Sequence, residues 1–407
     1  MNPLLTSRKR EPADLAIFGG SRAFAIPLHV GRPNLGDRAA LLTRIGDILD
    51  RRWFTNDGPV VQEFESRIAA YLGVKHCVAM CNATVALEIA TRAVGFKGEV
   101  IVPSFTFVAT AHALQWQEIT PVFCDIDSRT HNLDPAQLER LITPHTTGIL
   151  PVHVWGRGCN IEAIAEIAAK HRLRIIYDAA HAFGATRGGR RIGGFGDAEV
   201  FSFHATKFLN SFEGGAVTTN DDDLAKKIRL MRNFGFAGYD RVIYPGTNGK
   251  MTEVSAAMGL TSLDSLADFV AVNRRHHEQY CRELAGLPGV SLIAYPESEE
   301  NNFQYVILEI ESSLSHVSRD QLQQVLHAEN VLARRYFYPG CHRMEPYASY
   351  FPNSGLVLPQ TEQLTTRVLS LPTGTGITDA EITRVCELIR FAFTHGEEIV
   401  RRLAARG

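Results

Sequence analysis

Lys207 closes the run Ser202-Phe203-His204-Ala205-Thr206-Lys207, where a basic side chain leaves an apolar strand beside hydroxyls and an imidazole. Desolvation lowers the pKa of a lysine and makes its amine a nucleophile toward carbonyl carbon. Ser202 could donate to a phosphate. The same pattern also fits a plain surface lysine at a strand end, since lysines are mostly exposed. Asp178 ends the apolar run Ile175-Ile176-Tyr177, at the strand end where open α/β sheets bind ligands. A carboxylate there can pair with a buried cation; a turn or capping aspartate is the alternative. Cys81-Asn82-Ala83-Thr84 has the look of a strand-to-helix junction, whose free N–H groups can hold a phosphate. Asn82 or Thr84 would cap a helix in any case. In Ser104-Phe105-Thr106-Phe107 one ring could stack on a flat ligand or pack in the core.

Taken in chain order, these are a phosphate cradle, a ring, a carboxylate and an amine, each near a strand end. They suit one flat, phosphorylated aldehyde. Pyridoxal 5′-phosphate (PLP) is such a cofactor, and its ring nitrogen needs a carboxylate to stay protonated.

The elements that must position them alternate along the chain. Residues 37–52 and 60–72 have helical periodicity, broken by Asn56-Asp57-Gly58-Pro59. Strands are expected at 76–80, 100–102, 121–124, 149–154, 175–177 and 200–203. Helices are expected at 84–94, 107–116 and 161–171. The strands are continuously apolar, as when both faces are covered. This is an α/β pattern with a mainly parallel central sheet and helices on both faces. Residues 1–36 form an N-terminal arm with little periodicity. Residues 37–265 form a large domain. A long helical stretch over 252–284 leads into a smaller α+β C-terminal domain over 266–407, with a strand at 303–310 and helices at 319–330 and 379–393.

Bulk properties narrow the functional classes. Of 407 residues, 45% are hydrophobic and 21% charged, which suits a soluble globular protein. A net charge of −2 supplies no field toward nucleic acid or anionic membrane, so neither is expected as a partner. The seven cysteines include no C-x-x-C pair, which argues against a disulfide framework or a structural zinc site. No metal is expected, and a reducing cytoplasm fits best. The basic start lacks an apolar signal segment, and no apolar run is long enough to span a membrane.

The chain resembles the DegT/DnrJ/EryC1/StrS family of fold-type I, PLP-dependent sugar aminotransferases over roughly residues 18–372. The resemblance rests on Phe18-Gly19-Gly20, Thr55-Asn56-Asp57-Gly58-Pro59, Asn82-Ala83-Thr84-Val85-Ala86-Leu87, Asp178-Ala179-Ala180-His181-Ala182-Phe183-Gly184-Ala185, the run ending at Lys207, and Glu213-Gly214-Gly215. It implies that Lys207 is the Schiff-base lysine and proton shuttle, and that Asp178 pairs with the pyridine nitrogen. It implies that Phe107 stacks on the ring and that Ala83, Thr84 and Ser202 bind the phosphate. His181 stands where many members carry Gln near the phenolic oxygen, and imidazole can donate there too. The cradle is Asn-Ala-Thr where Gly-Thr-Ser is common. Asn248, in Gly246-Thr247-Asn248-Gly249-Lys250-Met251, is similar to the asparagine that reaches the phosphate of a neighbouring subunit. A homodimer with shared active sites follows from that likeness.

The implied reaction moves an amino group from L-glutamate to a nucleotide-linked keto-sugar. The run from His204 to Gly215 looks closest to members that aminate C4 of dTDP-4-keto-6-deoxy-D-glucose, giving dTDP-4-amino-4,6-dideoxy-D-glucose. Members acting at C3 more often carry His-Pro-Thr-Lys. Asn56, Arg241, Lys250, the Arg334-Arg335 pair, Tyr336 and Tyr338 are candidates for substrate contacts. The alternatives are a C3-aminotransferase, a GDP-perosamine-type synthase, and a PLP-binding regulatory protein without turnover.

Overall fold

The computed structural model describes residues 8–405. Among them the chain runs β1 (Leu28–His29), α1 (Arg38–Arg51), α2 (Pro59–Leu72), β2 (His76–Met80), α3 (Ala83–Val94), β3 (Glu99–Pro103), α4 (Ala109–Gln115), β4 (Thr120–Cys124), β5 (Thr146–Ile149), α5 (Ile161–His171) and β6 (Arg174–Asp178). A short hairpin of β7 (Thr186–Arg187) and β8 (Arg190–Arg191) precedes β9 (Ala198–Ser202), β10 (Gly215–Thr219), α6 (Asp222–Arg232), α7 (Glu253–Asp264) and α8 (Leu266–Leu284). The remainder includes β11 (Val290–Leu292), β12 (Val306–Ile310), α9 (Arg319–Ala328), β13 (Val331–Leu332) and β14 (Val368–Leu371).

Seven strands form the central sheet in the order β2-β10-β9-β6-β5-β3-β4. All neighbours are parallel except β10, which runs antiparallel to both β2 and β9. Alternate residues of each strand serve opposite faces: Cys77 and Ala79 of β2 pack with α1, α2 and α7, while Val78 and Met80 pack with α3, α4 and α6. Both faces are therefore covered, which is why the strands carry no polar alternation. β11, β12 and β14 form a separate antiparallel sheet. No helix among the described residues is long and apolar enough to cross a membrane.

Residues 8–36 dock on the rest of the chain: Leu15, Phe24 and Leu28 are buried in the core built on β12 and β14, and β1 pairs in parallel with β13. Two features differ from expectation. The stretch 252–284 is two helices, because the chain leaves helical geometry at Ser265 (φ −99°, ψ 10°). The strand expected at 149–154 ends at Ile149. Pro151 lacks an N–H for a ladder, and beyond it pairing continues only as an isolated bridge of Val152 with Asp178, although residues 150–154 are all buried.

Candidate active site

The C-terminal ends of β2, β6 and β9 open on a cavity of about 320 Å³ lined by Ala83, Thr84, Phe107, Asp178, His181, Ser202 and Lys207. Every residue expected to touch the cofactor from within one chain lies in this lining. Arg334 and Tyr336 close its far wall.

The cradle begins where β2 passes into α3. Asn82 caps the helix, its Oδ1 accepting from the Val85 N–H at 2.8 Å. The N–H groups of Ala83 and Thr84 have no helical partner of their own and belong to a helix end that favours anions. Gly215 lets β10 pass close by, for a Cβ there would stand 2.6 Å from the Ala83 nitrogen.

Asp178 ends β6 and is buried. Its Oδ1 accepts from the Ala180 N–H at 3.0 Å and its Oδ2 from the Thr110 hydroxyl at 2.9 Å. Burial raises its pKa, opposed by those two donors and by the charge of Lys207. A cationic N–H set against this carboxylate would satisfy what burial took from it.

Lys207 sits in the loop after β9, held by its own N–H donating to the His204 carbonyl at 2.8 Å. Burial lowers its pKa to about 8, with Asp178 pulling the other way. The amine is therefore partly free near neutral pH. His181 is neutral: burial, then Lys207, push its pKa well down. The Trp155 N–H donates to its Nδ1 at 3.4 Å, so the ring proton sits on Nε2. Trp155 can aim that N–H because it adopts a left-handed backbone (φ 61°, ψ 13°). Its indole stacks on Phe337 and donates to His131. Phe107 lines the cavity with 55% of its surface exposed, leaving a ring face for a ligand.

A second cavity, of about 500 Å³, adjoins the first across Phe107, Arg334 and Tyr336. It holds Arg335 and Tyr338. Arg334 lies 4.8 Å from the Tyr336 ring centroid and Arg335 4.5 Å from that of Tyr338. Backbone pairing of Arg334 with Ser370 fixes this wall to β14.

Asn56, Arg241, Asn248 and Lys250 line neither cavity. Asn56, Arg241 and Asn248 are exposed, and Lys250 Nζ donates to Asn233 Oδ1 at 3.1 Å. They flank a surface bearing exposed Trp53, Phe54, Phe234 and Phe236.

Sequence reasoning missed Thr106, Thr110, Trp155, Tyr305 and Phe337. Two threonines four positions apart at the start of a helix were the one available signal for the first pair. The others are apolar or aromatic residues with no local mark of function. The donor set fits PLP: a helix N-terminus for phosphate, an open ring face, a buried carboxylate and a desolvated amine.

Comparison with known proteins gives a consistent picture. The profile of the DegT/DnrJ/EryC1/StrS aminotransferase family matches residues 37–390. The chain is 38% identical over 348 residues to a dTDP-4-amino-4,6-dideoxy-D-glucose transaminase of Shigella dysenteriae, covering 85% of this chain and 94% of that one. It is 40% identical over 349 residues to a GDP-perosamine synthase of Caulobacter vibrioides, covering 83% and 91%. The crystal structure of DesI in the presence of its TDP-sugar product superposes with a TM-score of 0.92 at 50% identity, covering 97% of this chain and 100% of that one.

Proposed function

Because the chain belongs to the DegT/DnrJ/EryC1/StrS aminotransferase family, we propose that it is a PLP-dependent transaminase that passes the amino group of L-glutamate to a nucleotide-linked keto-sugar. One observation carries this reading: a helix N-terminus, the Phe107 ring, the Asp178 carboxylate and the Lys207 amine open on one cavity. Bound there, PLP supplies an aldehyde that takes up amines and a protonated ring that withdraws electrons from the carbon losing its proton.

The side chains then have distinct tasks. The Ala83 and Thr84 N–H groups, with the Thr84 and Ser202 hydroxyls, bind the phosphate. Phe107 would cover one ring face. Asp178 would keep the proton on the ring nitrogen, and Thr110 and Ala180 keep Asp178 oriented. His181 would donate Nε2–H to the phenolic oxygen. Lys207 would anchor the cofactor, and its Nζ would move the proton to and from the α-carbon of the donor. L-Glutamate and sugar use the same pocket in turn, in a ping-pong cycle.

For the acceptor we propose dTDP-4-keto-6-deoxy-D-glucose, aminated at C4. Two supports converge: the run from His204 to Gly215, and the names of the Shigella dysenteriae and Escherichia coli relatives at 38% and 35% identity. The second cavity gives room for the nucleotide beside Arg334, Arg335, Tyr336 and Tyr338. A GDP-perosamine-type reaction is the second reading, favoured by the Caulobacter vibrioides relative. Incubating the holoenzyme with L-glutamate and each of the dTDP- and GDP-linked 3-keto and 4-keto sugars, with NMR of the product, separates these. Amination of only a 3-keto sugar would overturn the C4 reading. Failure of glutamate to convert the cofactor would favour a regulatory protein without turnover.

We further read the chain as a homodimer in which Asn248 reaches the cofactor phosphate of the partner, and Asn56, Arg241 and Lys250 approach its substrate. The exposed aromatics around those residues support a contact surface. The division at 265/266, with an arm over 1–36, belongs to the same reading. Seven free thiols support a cytoplasmic setting.

A further inference from the structure

We infer that Arg232 is a positioning residue that sets, from one buried ion-pair cluster, both loops this chain lends to the active site of a second copy. The inference rests on the shared-site reading above.

Arg232 ends α6, and its side chain is 6% exposed. Nη1 donates to Glu65 Oε1 at 2.6 Å and to the Ala79 carbonyl at 2.8 Å. Nη2 donates to Asp57 Oδ1 at 2.9 Å. Arg229 Nη1 binds the other oxygen of Glu65 at 2.6 Å. The guanidinium is thus fixed on the core side by Glu65 and holds Asp57 on the outer side.

Asp57 needs such a tether. Asn56 and Asp57 have φ values of 61° and 60°, a left-handed pair of non-glycine residues. Asn and Asp visit this region more than other side chains do, but two in succession carry strain that surrounding contacts must offset. The ion pair to Arg232 restrains the Asp57 side chain, and Gln62 Nε2 donates to the Asp57 carbonyl.

The same residue holds the other loop by its backbone. The Arg232 carbonyl accepts from the Gly249 N–H at 2.9 Å, next to Asn248. Asn233 pairs with Asn248, and its Oδ1 takes the Lys250 ammonium. Arg232 is thus the one residue bonded to both segments, the second of which is also held by Met231 and Cys81.

Electrostatics supply the reason. The side-chain amides of Asn56 and Asn248 and the Lys250 ammonium suit phosphate and sugar oxygens, yet Asp57 puts a carboxylate among them. Two acids, Asp57 and Glu65, face two arginines, Arg229 and Arg232, so the cluster is neutral. An anionic ligand is not repelled. None of these groups lines the cavity that holds Lys207 of the same chain, although Gly249 and Lys250 are backbone-paired with Cys81 and Met80 beside its cradle.

Two variants test this, Asp57→Ala at the exposed end and Arg232→Lys at the buried end. As homodimers each should raise KM for the nucleotide sugar about tenfold, the worth of one charge-assisted hydrogen bond, while kcat falls much less. An unchanged KM for Asp57→Ala would sink the inference. The decisive measurement uses hybrid dimers with Lys207→Ala. In a hybrid of Arg232→Lys with Lys207→Ala, the only working lysine faces loops set by an intact Arg232. Wild-type KM in that hybrid supports action across the subunits; KM as in the Arg232→Lys homodimer overturns it. Should Arg232→Lys fail to fold, Asp57→Ala carries the same hybrid test. A hybrid of Asn248→Ala with Lys207→Ala checks the shared-site reading separately, through cofactor retention. If it does not recover retention, that reading fails; if it does while the Arg232 and Asp57 hybrids do not, only the role of Arg232 falls.

Discussion

The Thr110 hydroxyl donates to Oδ2 of Asp178 across 2.9 Å, and Thr106 Oγ1 lies 2.9 Å from Thr110 Oγ1. Since the one proton of Thr110 goes to Asp178, Thr106 must donate to Thr110. The carboxylate is therefore aimed by a chain of hydroxyls from α4 and the loop before it. Asp178→Asn should slow the glutamate half-reaction on the order of 10²-fold or more, while the melting temperature stays near wild type. Thr110→Val should cost about tenfold, the worth of one hydrogen bond to a charged group. Single-turnover absorbance with L-glutamate reads both. Wild-type turnover by Asp178→Asn would remove its assigned role.

Lys207 should carry the cofactor covalently. The purified holoenzyme should show a visible band that borohydride bleaches, leaving a pyridoxyl group on the peptide with Lys207. Label on another peptide would defeat the assignment. Lys207→Ala should lose both half-reactions yet still bind PLP through the α3 cradle.

The Lys207 amine gives a pH signature. Its pKa of about 8 predicts that the protein freed of cofactor rebinds PLP covalently at a rate rising through pH 8, as the free amine appears. The same shift bears on stability. The folded value lies below the ordinary 10.5, so between about 8 and 10.5 the unfolded chain holds more protons and stability rises with pH. Lys207→Met should lack that increment. Chemical denaturation of both proteins across this range measures it, and identical slopes would contradict the buried amine.

Gly215→Ala probes the cradle without removing a polar group. The added Cβ would meet the Ala83 nitrogen at 2.6 Å and must push α3 away from β10. Overpacking of this kind costs about 1–3 kcal/mol. PLP affinity should fall, with Asp178 and Lys207 undisturbed. Equilibrium dialysis of the variant would show unchanged affinity if the helix end played no part.

The sequence carried the sheet well because its strands are short apolar runs bounded by turns. β2 fell where the pattern put it, at His76–Met80. Other elements could not be read. Ser265 breaks a helix with no glycine or proline to mark it. The arm looked irregular because its contacts are long-range, such as the Ala16 and Ala23 N–H groups on the Glu329 carboxylate. At the site, motif residues were legible because they leave strand ends. Thr110 was not, since a helix threonine has many ordinary uses. Arg232 was hidden more deeply, because its partners come from Asp57, Glu65 and Ala79, far away in the chain.

The antiparallel strand β10 has a consequence for the order in which the molecule is made. β2 joins the sheet only through β10, with Met80 opposite Gly215. Until Thr219 has left the ribosome, the strand that carries α3 has no neighbour, and closing so long a loop is slow. The sheet edge beneath the phosphate cradle is thus completed only after β6 and β9, which carry Asp178 and lead to Lys207, have been made. A chain cut short before β10 should therefore lack a seated β2 and bind PLP poorly, which dialysis of such a truncated chain would measure.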